Sequence, residues 1–140
     1  MKKVECGFSH LEMLVVVALV GILATLAIPD FRDFKKLAHN SAAQSDYVNI
    51  RSAMLADRNN QNQKHSYLIY HKSGPSKLPV PFNSISLSQG VELNYAYKVD
   101  FNLGLFDFDI TLIQLRHRQG SKIFRYLDIN GNVNERVINL

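Results

Sequence analysis

Residues 6–31 read CGFSHLEMLVVVALVGILATLAIPDF, and the fold turns on this stretch. From Met13 to Ile28 it carries no charge, yet Glu12 stands between Leu11 and Met13 at its edge. As a helix rising 1.5 Å per residue, the span from Phe8 to Ile28 is about 31 Å long. The hydrocarbon core of a bilayer is about 30 Å thick. Lys2 and Lys3 precede the apolar run. Three kinds of segment begin this way: a secretory signal cleaved after Ala27, an uncleaved membrane anchor, and a segment in which the acid has a purpose. A secretory apolar region is shorter, about 7–15 residues. A carboxylate carried to the bilayer centre costs about 2.5–3.5 kcal/mol. Length speaks against the first kind, and Glu12 speaks against both simple kinds.

Beyond Pro29 the chain continues with helix-forming residues of mixed charge. Phe34, Leu37, Ala38, Ala42 or Ala43, Tyr47, Ile50 and Met54 follow in steps of three and four, the spacing of a one-sided helix. A proline in a helix removes one backbone bond and kinks it. One long bent helix is therefore expected over residues 8–58, apolar all round in its first half and one-sided in its second. Residues 58–66 end the pattern. Residues 61–90, with Pro75, Pro79, Pro81, Gly74 and Gly90, are expected to form a connecting loop, with room for a short strand or turn at SYLIY.

From Val91 the period becomes two. Val91, Leu93, Tyr95, Tyr97 and Val99 alternate with Glu92, Asn94 and Lys98. Phe106, Phe108, Ile110 and Leu112 alternate with Asp107, Asp109 and Thr111. Each apolar set is expected to face the core. Two further strands are expected around Asn130-Gly131, a strong hairpin signal. The plan is α+β: one long helix, then about four antiparallel strands, one face of which the one-sided half of the helix covers.

Composition narrows function mostly by exclusion. The net charge of +4 is spread along 140 residues, with no basic run that would mark a nucleic-acid patch. The single cysteine, Cys6, excludes an internal disulfide, and MKKVE before it is not the apolar stretch of a lipidation signal. His10, His39, His65, His71 and His117 are scattered and none has a Cys or Glu at metal-ligand spacing. Phosphate-loop, zinc-protease and nucleophile-elbow motifs are absent. Asp107 and Asp109 share a strand face, where solvated carboxylates are expected rather than an acid–base pair. Asp128, Asn130 and Asn132 have the alternate spacing of a calcium loop, but the glycine and the bidentate glutamate are out of place. They are a weak metal candidate beside the hairpin. No catalytic constellation and no cofactor motif emerges.

The stretch 6–31 resembles the N-terminal signature of type IV pilins and their relatives, the pseudopilins. In that family a short basic leader ends in glycine. The mature chain begins with an N-methylated phenylalanine and has glutamate as its fifth residue. A long apolar helix follows, with a glycine in mid-run and a proline near its end. Gly7, Phe8, Glu12, Gly21 and Pro29 occupy those places in register. The segment containing NSAAQSD is similar to the helix continuation of small bacterial pilins. Two features depart from the pattern. His10 stands where an apolar or small residue is usual, and the mature chain would lack the cysteines with which many pilins close a C-terminal loop.

The resemblance implies the type IV pilin fold, with a leader at 1–7, a membrane and filament-core helix at 8–33, and an amphipathic continuation at 34–60. A loop at 61–90 and a sheet at 91–140 complete it. It implies cleavage between Gly7 and Phe8 by prepilin peptidase, methylation of Phe8, and assembly through Phe8, Glu12, Gly21 and Pro29. Cleavage frees an α-amino group, and Glu12 of the same chain or a neighbour is expected to pair with it. The implied product is a structural subunit, not an enzyme, polymerised with itself and needing no cofactor. Its partners would be the inner-membrane assembly platform, motor ATPases and a secretin. It would start in the inner membrane and end in an extracellular pilus serving adhesion, twitching motility or DNA uptake. The rivals are a periplasmic pseudopilin of a type II secretion system and a minor pilin.

Overall fold

The computed structural model describes residues 8–59, 66–80, 82–102 and 107–140. Helix α1 spans His10–Asn59 and passes through Pro29. Seven strands follow: β1 Tyr67–Ser73, β2 Ser76–Lys77, β3 Ser86–Leu87, β4 Val91–Asn102, β5 Asp107–His117, β6 Lys122–Ile129 and β7 Asn132–Asn139. The chain divides into two compact units, Met1–Lys35 and Lys36–Leu140.

In the second unit five antiparallel strands form one sheet in the order β1-β4-β5-β6-β7, and β2 pairs with β3 separately. The α+β plan holds, with one more strand than expected. The fifth strand is β1, at the SYLIY stretch that leaves room for a short strand or turn; β2 and β3 lie in the rest of the stretch 61–90 expected as a loop. The prolines and Gly74 end these strands early but do not prevent them: only Ile69 of β1 is deeply buried, so little periodicity announces it.

The core joins one face of α1 to one face of the sheet. Ala43, Tyr47, Ile50 and Met54 pack with Ile69, Leu93, Ala96, Ile113, Leu115, Phe124 and Tyr126, while Leu78, Phe82 and Leu87 close its rim. The buried stripe begins later than expected, because Phe34 and Leu37 are exposed. Polar residues on the same stripe clip the helix to the strand ends. Asn40 Oδ1 accepts the Ser121 and Lys122 N–H groups at 2.9 and 3.2 Å. Its amide donates to Ser121 Oγ at 3.1 Å. Asp46 accepts the Ser88 N–H and hydroxyl at 2.7 and 3.0 Å. The Tyr47 hydroxyl donates to Glu135 at 2.6 Å. Burial, together with that hydrogen bond and the Glu135 charge, raises the Tyr47 pKa, while Arg51 opposes the rise.

The expected inward face is reversed in β5 and, in β4, only beyond a bulge. In β4 the pairing with β5 shifts between Leu93 and Tyr95, so Asn94 is an extra residue. Val91 and Leu93 face inward before the bulge; Ala96 and Lys98 do so after it, in place of Tyr95, Tyr97 and Val99. In β5 the inward residues are Thr111, Ile113, Leu115 and His117, so Phe108, Ile110 and Leu112 lie on the other face. Phe106, placed with them from sequence, lies outside the described residues. Lys98 is 2% exposed, and its ammonium lies 3.4 Å from Asp57 and 3.5 Å from Asp100. The sheet thus replaces apolar cover at this end with a buried ion cluster. Tyr67 lies beside it, and its pKa is raised by burial first and then by Asp57, Asp100 and Asp109.

The Asn130-Gly131 hairpin forms as expected, with Ile129 paired to Asn132. Both turn residues have positive φ, 52° and 86°, as a type I′ turn requires.

Candidate assembly segment

Glu12 lies in the first turn of α1 and contributes the acidic charge there, where the exposed backbone N–H groups favour it. The Met13 N–H donates to the Ser9 carbonyl at 3.2 Å and closes that turn. Phe8 precedes the helix and its ring is exposed. Every residue from Phe8 to Leu26 is exposed, on all sides of the helix. This helix is long and apolar enough to cross a membrane. Apolar side chains around a full helix call for lipid or other helices as their surroundings.

Gly21 sits in the middle of this surface. A Cβ added there would meet nothing within 4 Å. Nothing inside the chain therefore requires a glycine, although glycine costs about 1 kcal/mol relative to alanine in a helix interior. A small residue on an exposed apolar helix has a use when another helix approaches closely. Thr25 satisfies its hydroxyl by donating to the Ile22 carbonyl at 2.7 Å, so it presents a methyl group outward at little polar cost. Pro29 belongs to the helix span. Gly7, the expected residue before the cleavage point, lies outside the described residues. Phe8, Glu12, Gly21 and Pro29 thus belong to one continuous helical segment and its entry.

Two of the three residues of the weak metal candidate, Asp128 and Asn130, use their oxygens within the protein. Asp128 is buried; its Oδ1 accepts the Gly131 N–H at 2.9 Å and its Oδ2 accepts the Tyr126 hydroxyl at 3.2 Å. Burial, and next the Asp128 charge, raises the Tyr126 pKa. Asn130 Oδ1 accepts the Asp109 N–H at 2.8 Å, while the Asn130 N–H donates to the Asp109 carbonyl at 2.8 Å. Among the described residues no group of three or more His, Cys, Asp or Glu side chains is placed to hold a metal. These side chains build the hairpin.

Sequence reasoning missed the polar clips Asn40 and Asp46 and the ion cluster around Lys98. The signal for the clips was present: Asn40, Ala43, Asp46 and Tyr47 keep the helical spacing, with polar residues at inward positions. For Lys98 no signal precedes the bulge that turns it inward.

The type IV major fimbrial protein FimA of Dichelobacter nodosus is 35% identical to this chain over 54 residues, 39% of this chain and 35% of that protein. The type II secretion system core protein G of Aeromonas hydrophila is 38% identical over 53 residues, 38% of this chain and 37% of that protein. A fimbrial protein of Pseudomonas aeruginosa is 35% identical over 51 residues, 36% of this chain and 33% of that protein. The chain thus spans about a third of the length of these curated relatives. No family model and no solved structure matches it.

Proposed function

We propose that this chain, a relative of type IV pilins and of type II secretion pseudopilins, is a structural subunit that polymerises into a thin fibre. The observation that carries this is the helical segment from Leu11 to Leu26, apolar and exposed on every side, with Glu12 in its first turn. In the precursor this helix lies in the inner membrane with Lys2 and Lys3 on the cytoplasmic side, as the positive-inside rule requires. Prepilin peptidase cuts between Gly7 and Phe8, where glycine leaves the scissile bond uncrowded. The new Phe8 amine, subsequently methylated, is positive at neutral pH. It pairs with Glu12 of its own chain or of the next. An unpaired carboxylate in a dry helix bundle is strongly disfavoured, so the pair enforces register as subunits stack. The helix then exchanges lipid for other copies of itself, and Gly21 lets them approach. Gly21 and Pro29 also weaken the helix between them, which would let the fibre stretch. The chain carries no catalytic role; motor ATPases and an assembly platform supply the work, and a secretin the exit.

The similarity to core protein G supports a second reading, a pseudopilin of a type II secretion system. Deletion separates the two: loss of surface fibres favours a pilus subunit, and loss of exoprotein secretion with fibres intact favours a pseudopilin. The class as a whole is tested by mass spectrometry of the mature N-terminus. A start at methylated Phe8 is expected. A start at Met1 would make the chain a plain membrane anchor, and a start near Ile28 a secreted protein.

A further inference from the structure

His117 ends β5 and is 5% exposed. Its ring stacks on His39 of α1, with centroids 4.1 Å apart and planes 18° from parallel. Both ring nitrogens are engaged. Nδ1 accepts the Gln119 N–H at 3.0 Å, so it carries no proton. The ring proton therefore sits on Nε2, which donates to the Gln89 carbonyl at 3.1 Å. The space around the ring is filled. A Cβ on Gly90 would come 2.6 Å from Nε2, and one on Gly120 would come 3.2 Å from the His117 Cβ.

This one ring joins three pieces of chain. The turn Arg118–Ser121 hangs on Nδ1 through Gln119, the loop Ser88–Gly90 on Nε2 through Gln89, and α1 on the ring face through His39. The Arg118 N–H donates to the Gly90 carbonyl at 2.8 Å, which links the turn to the loop directly. We propose that His117 is an acid-release latch: a second proton, which only Nδ1 can accept, breaks the Gln119 bond and loosens the Arg118–Ser121 turn locally, while the Nε2–Gln89 bond, the Arg118–Gly90 bond and the Asn40 and Asp46 bonds to α1 stay in place. Protonation sets an N–H against an N–H at Nδ1 and puts positive charge against the His39 ring.

The groups that face His117 act in both directions. Burial, and next His39 of α1, hold its pKa below the ordinary value, while the Gln89 carbonyl and Glu92 of β4 pull it up. Glu92 is itself held by Arg116 of β5 at 3.0 Å. Because the folded pKa lies below the unfolded one, the neutral ring stabilises the fold above about pH 6.5, and that stability is lost as pH falls through the folded value.

The test is amide hydrogen exchange of the full mature chain in detergent micelles, from about pH 7.5 to about pH 5, corrected for intrinsic rates. Protection of Gln119 and its neighbour Gly120 should fall by up to about tenfold per pH unit, the limit for one proton. His117→Gln should remove that dependence. His39→Gln uncovers the ring and removes an opposing charge, so release should begin at higher pH. The nitrogen chemical shifts of His117 at neutral pH should report the Nε2–H form. Protection that does not change with pH, an unmoved onset in His39→Gln, or an Nδ1–H form would overturn the latch. If His117→Gln does not fold, His39→Gln and the tautomer decide alone.

Discussion

At the scale of single residues, Glu12 is an acid whose reason is only partly met inside the chain, by the first turn of α1. Glu12 sits at the head of an exposed apolar helix, and its proposed partner, the Phe8 amine, exists only after cleavage. Glu12→Ala should leave the protein inserted and processed, because neither step needs the pair, but should abolish filaments. Electron microscopy and an N-terminal mass measurement check the two halves; normal filaments from this variant would end the assembly role of Glu12. Gly131 is a contrasting case, since its reason lies wholly inside the chain. Its φ of 86° is one that an L side chain adopts at a cost of about 1–2 kcal/mol. Gly131→Ala should lower Tm by roughly 4–8 °C per kcal/mol lost, read by circular dichroism, and should not touch processing. Unchanged stability would mean that the turn can take another form.

Among the elements, α1 meets the sheet through apolar contacts and buried hydrogen bonds together. Asn40 makes three hydrogen bonds to the β5–β6 turn, so Asn40→Ala leaves two backbone N–H groups without their acceptor. A loss of about 2–3 kcal/mol is expected, at about 1–3 kcal/mol for each buried polar group left unsatisfied and with partial relief from water. Chemical denaturation measures it, and a loss below about 0.5 kcal/mol, the range of an ordinary surface change, would refute the clip. The tyrosines give an alkaline counterpart. Tyr47 and Tyr67 both have pKa values raised on folding, Tyr47 by burial and then by Glu135, Tyr67 by burial and then by its three aspartates. A raised folded value means stability that is complete below the unfolded pKa, about 10, and lost as pH rises above it. Tm should therefore fall above about pH 10, and less steeply in Tyr47→Phe and Tyr67→Phe. A decline of equal slope in both variants would show that these hydroxyls are not its cause.

These elements also show how far the sequence is legible. The hairpin at Asn130-Gly131 was legible because a two-residue turn with two positive φ angles admits few residue pairs. The long helix was legible because an apolar run of that length has few other fates. The inward faces of β4 and β5 were not. Side-chain period locates a strand, but a single extra residue at Asn94 exchanges its faces, and β5 keeps Phe108 and Ile110 outward while Thr111 turns in beside Lys98. β1 was legible only as room for a short strand or turn at SYLIY, since an edge strand with one deeply buried residue shows no alternation. Phe8, Glu12 and Gly21, proposed for assembly, stand exposed, and no internal packing hides or explains them.

For the molecule as a whole, the two units ask for different solvents. Among the described residues, the buried apolar core, from Ala43 to Tyr126, lies in Lys36–Leu140. The described side chains of the first unit are exposed throughout. A water-soluble fold needs the first kind of unit and is burdened by the second, whose apolar surface exceeds what a soluble monomer leaves open. A chain cut to residues 36–140 should therefore stay dissolved without detergent, while the full chain should require it. The cut chain keeps Asn40, Asp46 and Tyr47, so each clip between helix and sheet survives. Its Tm should lie within about 4–8 °C of the full chain in detergent, the shift that about 1 kcal/mol produces at this size. Size-exclusion chromatography without detergent and a thermal melt would decide this. Aggregation, or a melt without a cooperative transition, would mean that the first unit contributes to the fold of the second.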